Sequence, residues 1–203
     1  MDVLTRATVP RPARLPARRL VRALTRALRN AFVAALLVPA ASAAAQDPGL
    51  EARVKAAYVY NFLTFVERER AEPVPAGAPV RICVLGDEAI LAELKGLTGR
   101  EVRGRKLEVV SGPEAGPPPS CHLLVIGRSE AGRLPEILSE VSGAGVLTVS
   151  DIPRFARGGG MIGFRTEGGR VRIEVNPAAA AAAGLKVSAK LLEVARVVPR
   201  ERP

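Results

Sequence analysis

His122-Leu-Leu-Val-Ile126 is an almost wholly apolar run that follows a proline-rich loop and ends at Gly127. A continuous apolar run of this length is typical of a strand that is buried on both faces of a parallel sheet. Three further β-rich runs occur in the chain, at residues 80–85, 106–110 and 146–149, and helical segments follow two of the four runs. Strands that alternate with helices predict an α/β layered domain with a largely parallel sheet.

The C-terminal part of the chain predicts an antiparallel addition to that sheet. Two β-rich runs flank Glu167-Gly168-Gly169, which is the pattern of a hairpin. We therefore expect one layered domain with about six strands, a C-terminal antiparallel hairpin and flanking helices. The other predicted elements are helices at 88–97 and 129–141, hairpin strands at 161–165 and 170–175, and helices that begin at Asn176 and Ser188.

A longer helix is predicted before the first strand, over residues 50–68. Its apolar residues follow the i, i+3, i+4 spacing of a helix face, and no charged residue occurs between Lys55 and Glu67. Two interpretations stay open: the helix packs on two sides, or it offers one face to a partner. The first stripe consists of Val54, Ala57, Tyr58, Asn61, Phe62 and Phe65, and a second stripe beside it consists of Val59, Leu63 and Val66.

The N-terminal segment has the order of a secretory signal peptide. Residues 1–30 carry eight arginines and one acid, and residues 31–45 are uncharged and end in Ala-x-Ala. This apolar run of 15 residues contains Pro39, and a membrane span needs about 20 residues. We expect cleavage after Ala43 or Ala45, a mature domain over residues 46–203, and a periplasmic location.

Removing that segment changes the charge of the protein. The full chain has a formal charge of +10, of which the leader supplies eight arginines minus one acid, or +7, so the mature part carries +3. Its charges are interspersed, whereas a nucleic-acid-binding surface needs clustered Lys and Arg on one face. Nucleic acid is therefore not an expected partner.

No residue pattern predicts catalysis. Gly127-Arg-Ser-Glu-Ala131 contains the glycine and serine of a nucleophile elbow, but His122, the one histidine, lies at the other end of the same strand. Seven residues of strand span about 23 Å, so His122 cannot be the base for Ser129. Neither a zinc-ligand spacing nor a nucleotide-binding motif occurs, including at Gly86 and Gly158-Gly-Gly160. We expect no cofactor, no metal and no enzymatic activity.

Four polar residues follow predicted strands directly: Asp87, Arg128, Ser129 and Asp151. If these strands are parallel, the four residues lie at one edge of the sheet, where open α/β sheets bind ligands. Two explanations stay open. The residues cap helices and turns, or they bind a small polar ligand, which would make the protein a periplasmic ligand-binding domain.

Two cysteines in an exported chain favour one disulfide. Cys83 lies inside the first strand and Cys121 opens the third. Adjacent strands bring them close only if the sheet is staggered, because their offsets from the strand ends differ by about three residues. Unpaired, buried thiols are the alternative.

Seven segments identify a family resemblance over almost the whole mature domain. They are Lys55-Ala-Ala-Tyr-Val-Tyr-Asn-Phe-Leu-Thr-Phe-Val66, Ile82-Cys-Val-Leu-Gly86, Cys121-His-Leu-Leu-Val-Ile126, Val146-Leu-Thr-Val-Ser-Asp151, Gly159-Gly-Met-Ile162, Val171-Arg-Ile-Glu-Val-Asn176 and Gly184-Leu-Lys-Val-Ser-Ala-Lys-Leu-Leu192. On these segments, which occur in this order, the chain resembles the YfiR-like family of periplasmic proteins.

The resemblance implies a non-catalytic regulator that inhibits a membrane-bound diguanylate cyclase, or a related signalling enzyme, by binding its periplasmic portion. It also implies control by an OmpA-like outer-membrane lipoprotein, and it leaves a homodimer open. A disulfide of the family matches Cys83 and Cys121, whereas a second, redox-sensitive pair near Gly159-Gly-Met-Ile162 has no counterpart here. The candidate partner-binding residues are Tyr58, Tyr60, Phe62, Phe65, Phe155 and Met161.

Overall fold

A computed structural model of the protein describes residues 48–68, 77–112 and 121–199. These residues all lie within the predicted domain, whereas the predicted signal peptide at residues 1–45 lies outside the described residues. No helix in the described part of the chain is long and apolar enough to cross a membrane.

The described residues form ten strands and five α-helices. The strands are β1 Val66–Arg68, β2 Val80–Leu85, β3 Glu101–Val102, β4 Arg105–Ser111, β5 Leu123–Ile126, β6 Leu147–Ser150, β7 Ile162–Glu167, β8 Arg170–Val175, β9 Leu185–Val187 and β10 Arg196–Val197. The helices are α1 Pro48–Phe65, α2 Glu88–Lys95, α3 Leu134–Glu140, α4 Pro177–Ala182 and α5 Ala189–Val194. A 3-10 helix, Arg128–Arg133, precedes α3.

Eight of the described strands form one sheet in the order β10-β8-β7-β6-β5-β2-β4-β3. The run from β4 through β2, β5 and β6 to β7 is parallel. Strand β8 is antiparallel to β7, which confirms the predicted hairpin. Strands β1 and β9 pair separately as a small antiparallel sheet. The α/β class and the largely parallel sheet are thus as predicted, and the short strands β3 and β10 lie at the two edges.

The central strands are buried on both faces. Residues of β5 alternate between two apolar clusters, with Leu123 and Val125 in one and Leu124 and Ile126 in the other. Such alternation follows from the two-residue repeat of a strand. The first cluster packs the sheet against α1 and α2, and the second packs it against α3 and the segment around Phe155.

Two predicted details of the helices were wrong. The first helix ends at Phe65 rather than at residue 68, because Val66–Arg68 turns into β1 and pairs with β9. Ser129 does not cap the helix that follows β5. Gly127 precedes the 3-10 turn there, and the Ser129 hydroxyl instead donates to the carbonyl oxygen of Gly86 at 3.1 Å.

The other predicted caps are present. The Asn176 carboxamide oxygen accepts from the Ala179 amide at 3.0 Å, and the Ser188 hydroxyl accepts from the Leu191 amide at 3.4 Å. Both residues thereby satisfy helix N–H groups that have no partner within the helix.

Candidate functional site

The carboxyl edge of the parallel strands brings together the four polar residues that the sequence singled out. Because β2, β5 and β6 are neighbours and parallel, Asp87, Arg128, Ser129 and Asp151 all follow strands at one edge of the sheet. Arg128 Nε lies 3.2 Å from Asp151 Oδ2. Asp87 caps α2 by accepting from the Ile90 amide at 2.9 Å.

Close backbone contact occupies the space between these strand ends. A Cβ atom on Gly127 would lie 2.0 Å from the Gly86 carbonyl oxygen, and a Cβ on Gly86 would lie 2.0 Å from Ser129 Oγ. Gly86 also has a φ of +66°, which favours glycine. The carboxyl edge is therefore tightly packed between β2 and β5, and Asp87 and Ser129 have structural partners there.

Lys55 is the centre of an ion network at the same edge, and sequence reasoning missed it. Its side chain belongs to α1 and is 5% exposed as a residue, and Nζ lies 2.7 Å from both Asp151 Oδ2 and Glu51 Oε1. The Glu51 carboxylate also accepts from Thr166 Oγ1 at 3.2 Å, which links α1 to the hairpin. The i, i+4 spacing of Glu51 and Lys55 was the available signal in the sequence.

The network favours the ionised forms of Lys55 and Glu51. Burial alone would lower the pKa of Lys55, but the hydrogen bonds to Asp151 and Glu51 outweigh burial and raise that pKa above its ordinary value. The pKa of Glu51 is lowered, chiefly because Lys55 donates to its carboxylate. Buried charges are retained in proteins when they are paired in this way. The carboxyl edge thus anchors α1 to the sheet.

Burial divides the six candidate partner-binding residues into two groups. Phe62, Phe155 and Met161 are 1%, 2% and 6% exposed, so they belong to the core and cannot present a surface to a partner. Phe155 packs against Gly160, where an added Cβ would lie 2.2 Å from its ring. Tyr58, Tyr60 and Phe65 are half-buried, so part of each side chain reaches the surface.

The buried stripe of α1 is centred on the second apolar stripe rather than on the first. It consists of Ala52, Lys55, Ala56, Val59, Phe62 and Leu63. Val66, the first residue of β1, is also buried. The first stripe, apart from Phe62, is half-buried or exposed. We call Leu50, Val54, Tyr58 and Phe65 the outer face of α1. Tyr58 and Phe65 of this face pack against the core and are only partly covered by the described residues.

A groove of about 430 Å³ lies between the outer face of α1 and the hairpin. Leu50, Val54 and Tyr58 line its helix side, and residues 169–172 at the start of β8 line the other. The Tyr58 ring lies 6.2 Å from the ring centroids of Phe62 and Phe164, so it covers the edge of the aromatic core. Arg170 and Arg172, which are exposed, make the hairpin side of the groove basic.

Tyr60 points to the other flank of the same helix. Its hydroxyl donates to the carbonyl oxygen of Glu101 at 3.1 Å, which ties α1 to β3. Two residues of α-helix correspond to a rotation of about 200°, so Tyr58 and Tyr60 cannot contribute to one contact surface. The outer face therefore excludes Tyr60.

Cys83 and Cys121 form a disulfide, with a Cα–Cα distance of 5.9 Å. The chain bends at His122, so Cys121 lies outside β5 and turns back over the sheet toward Cys83. This bend removes the offset of about three residues that two extended strands would impose. Both cysteines belong to the apolar cluster under α3.

Chemically active groups are sparse in the described residues. No group of three or more His, Cys, Asp and Glu side chains in this part of the chain is placed to hold a metal ion. His122 lies at the amino end of β5 and Ser129 follows its carboxyl end, so the two side chains are at opposite edges of the sheet, as the strand length predicts.

Comparison with known proteins identifies the family. No curated protein matches the chain. The family model described as YfiR/HmsC-like matches residues 52–196, which include nearly all of the described residues and every segment from α1 to β10. Because this match spans most of the chain, the protein belongs to the YfiR/HmsC-like family.

Proposed function

We propose that this protein is a non-catalytic periplasmic regulator that inhibits a membrane-bound diguanylate cyclase, or a related signalling enzyme, by binding its periplasmic portion. Family membership supports the class of function. The outer face of α1 supports the mode of action, because regulation by binding needs an accessible apolar surface rather than titratable groups.

The observation that carries the proposal is the apolar outer face of α1. A surface helix normally buries its apolar stripe and presents charged residues to water. Here the buried stripe contains the charge of Lys55, while Leu50, which is 57% exposed, begins an outer face that continues with Val54, Tyr58 and Phe65. An apolar face that is not covered within the described residues is the kind of surface that a partner covers.

The chemistry of the groove indicates the kind of segment that binds there. Leu50, Val54 and Tyr58 supply apolar contact, and Arg170 and Arg172 supply positive charge on the opposite wall. A partner segment with apolar residues beside an acidic residue complements both walls. We propose that such a segment belongs to the periplasmic portion of the target enzyme.

The disulfide supports the proposed location. Disulfides persist in oxidising compartments such as the periplasm and are rare in the cytosol, and Cys83 and Cys121 are paired here. An arginine-rich leader of the kind seen at residues 1–45 would direct the protein to that compartment.

We propose that an OmpA-like lipoprotein relieves the inhibition by competing with the target enzyme for the regulator. If the protein forms a homodimer, the dimer interface would have to leave the groove open.

Gene deletion with complementation tests the proposal. Deletion should raise cyclic di-GMP, and the wild-type gene should restore the lower level. Tyr58→Ala should fail to restore it, because it removes an anchor from the outer face. Tyr60→Ala is the matched control, since it removes the same side chain from the other flank of the helix, and it should complement.

Protein levels of both variants must be equal in the cell envelope for the comparison to hold. Unchanged cyclic di-GMP after deletion would reject a diguanylate cyclase as the target. Equal complementation by Tyr58→Ala and Tyr60→Ala would reject the outer face of α1 as the contact surface.

A further inference from the structure

A second cavity lies at the opposite edge of the sheet, beyond the amino ends of β2, β4, β5 and β6. Its volume is about 260 Å³. It does not share a lining residue with the groove on the outer face of α1. The lining consists of Phe62, Leu63, Val66, Val80, Val102, Leu147 and Leu185, with Arg68, Arg103, Arg105 and His122. We call it the arginine cavity.

The charged side chains that line the arginine cavity are all positive, although one of them, Arg103, is paired with Glu67 at 3.4 Å. Three arginines line it, and no carboxylate does so among the residues that the structure describes. Arg105 is half-buried and donates to two neutral groups, from Nε to the Ala78 carbonyl at 2.7 Å and from Nη2 to the Pro79 carbonyl at 2.9 Å. Within the described ranges no carboxylate pairs with Arg105. A half-buried cation without a counter-charge favours an anion beside it.

The His122 ring places a second donor next to Arg105. Its Nδ1 atom accepts from the backbone N–H of Arg81 at 3.2 Å, which assigns the proton of the neutral ring to Nε2. Nε2 lies 3.1 Å from Arg105 Nη2. Two N–H donors therefore converge without an acceptor between them, and an oxygen of a ligand would satisfy both.

The ring stays neutral at physiological pH. Burial, followed by the charges of Arg68, Arg105 and Arg81, lowers the pKa of His122 to about 4. His122 thus contributes a hydrogen-bond donor to the cavity and no charge, and Arg105, which donates to neutral carbonyl oxygens, supplies the positive charge beside it.

The size and the remaining walls restrict the ligand further. An apolar cavity of about 150 Å³ accepts benzene, so 260 Å³ accommodates a ring with a short polar arm. Phe62, Leu63 and Leu185 supply apolar wall opposite the donors. Inorganic phosphate would leave these walls uncovered, whereas a neutral hydrocarbon would leave the charge of Arg105 without a counter-charge.

We propose that the arginine cavity binds a small organic carboxylate, with its apolar body against the leucine and phenylalanine walls and its carboxylate at Arg105 and His122. Such a site would make the regulator responsive to an anionic metabolite. This inference does not depend on the proposed target enzyme, because binding is measured on the purified, disulfide-bonded protein alone.

Calorimetry and thermal unfolding with phenylacetate as the probe test the site. Phenylacetate should bind and raise the melting temperature. Phenylacetamide has the same shape and no charge, and its affinity should be lower by about tenfold or more. Inorganic phosphate should not displace phenylacetate. No binding of phenylacetate at concentrations up to about 10 mM would overturn the proposal. Equal binding of the amide would overturn the anionic assignment.

Two variants test whether the ligand binds in the arginine cavity, and the second remains informative if the first does not fold. Arg105→Gln should weaken phenylacetate binding about tenfold or more, because the charged donor is lost. Leu185→Phe fills the cavity while it keeps every charge, and it should abolish binding even if Arg105→Gln does not fold. Arg133→Gln, an exposed arginine near Glu130, should bind as the wild type does. Unchanged affinity in Leu185→Phe would place the ligand elsewhere and overturn the proposal.

Discussion

The two faces of α1 are both apolar, yet they differ in burial. The inner face is buried and includes Lys55, whose charge is paired with Glu51 and Asp151. The outer face keeps Val54 and Tyr58 only half-buried, although neither carries a charge. Hydrophobicity alone therefore does not determine which face of a helix enters the core. Here the paired charge lies on the inner face, and we propose that the apolar surface left outside binds a partner.

The largest expected effect comes from truncating the inner face. Phe62→Ala removes a ring that is 1% exposed and lies 5.9 Å from the ring of Phe164. The free energy of unfolding should fall by about 3–5 kcal/mol, from lost burial and the cavity left behind. Urea denaturation followed by circular dichroism measures the loss. A loss below about 1 kcal/mol would mean that the two faces do not differ as described.

The disulfide supports the opposite side of the sheet from α1, so its removal should lower stability without changing the outer face. Cys83 and Cys121 are 38 residues apart in sequence. Closing a loop of that length contributes up to about 4 kcal/mol in the chain-entropy model. A Cys83→Ala, Cys121→Ala double variant should unfold at lower urea concentration and still bind its partner when folded. A stable variant that loses binding would couple the two sides of the sheet and contradict this separation.

Removing the charge from the inner face should have an intermediate effect that depends on pH. Lys55→Met leaves Glu51 without its main donor and should lower the free energy of unfolding by about 2 kcal/mol at pH 7. The pKa of Glu51 in the folded protein lies below its ordinary value of 4.5. The wild-type contribution is therefore present above pH 4.5 and is lost as the pH falls through the lowered value.

The pH series separates this effect from simple loss of packing. The difference in unfolding free energy between wild type and Lys55→Met should shrink as the pH falls from 7 toward 3, because protonated Glu51 no longer needs the lysine. Glu51→Gln provides the control, since its own stability should show less of this acid dependence. A difference that stays constant across the series would show that Lys55 stabilises α1 by packing rather than by charge.

Much of the fold could be predicted from the sequence because its signals are local. The apolar run at β5, the hairpin glycines and the caps at Asn176 and Ser188 each depend on a few neighbouring residues. The two-residue strands β3 and β10 could not be predicted, because two residues show no periodicity. The sequence predicts helix at β1 because Val66 continues the helical spacing. Only the pairing of β1 with β9 shows that this segment is a strand.

The functional residues could likewise be predicted only in part from the sequence. The sequence predicted which polar residues share the carboxyl edge, since parallel strands fix that geometry, but it could not predict that Gly86 and Gly127 close the space between them. The arginine cavity was not predicted at all. Its members Arg68, Arg103 and Arg105 come from β1, from a turn and from β4, and only the tertiary fold brings them to one place.

The smallest effect on stability and the largest effect on binding should come from the outer face. Tyr58→Ala removes contacts with the rings of Phe62 and Phe164 at the surface and should cost about 1 kcal/mol of unfolding free energy. Affinity for the partner should fall about tenfold or more, as expected for a central aromatic anchor. Tyr60→Ala should leave the affinity within about twofold of wild type.

Site-specific crosslinking in the cell envelope tests whether the outer face of α1 contacts the target enzyme. A photo-crosslinking phenylalanine analogue at position 58, on the outer face, should capture a membrane protein that carries a cytoplasmic diguanylate cyclase domain or a related signalling domain. The same analogue at position 60, on the flank that contacts β3, should not. Mass spectrometry of the adducts identifies the captured protein. Capture of that protein from position 60 and not from position 58, or from neither position, would contradict the proposed role of the outer face.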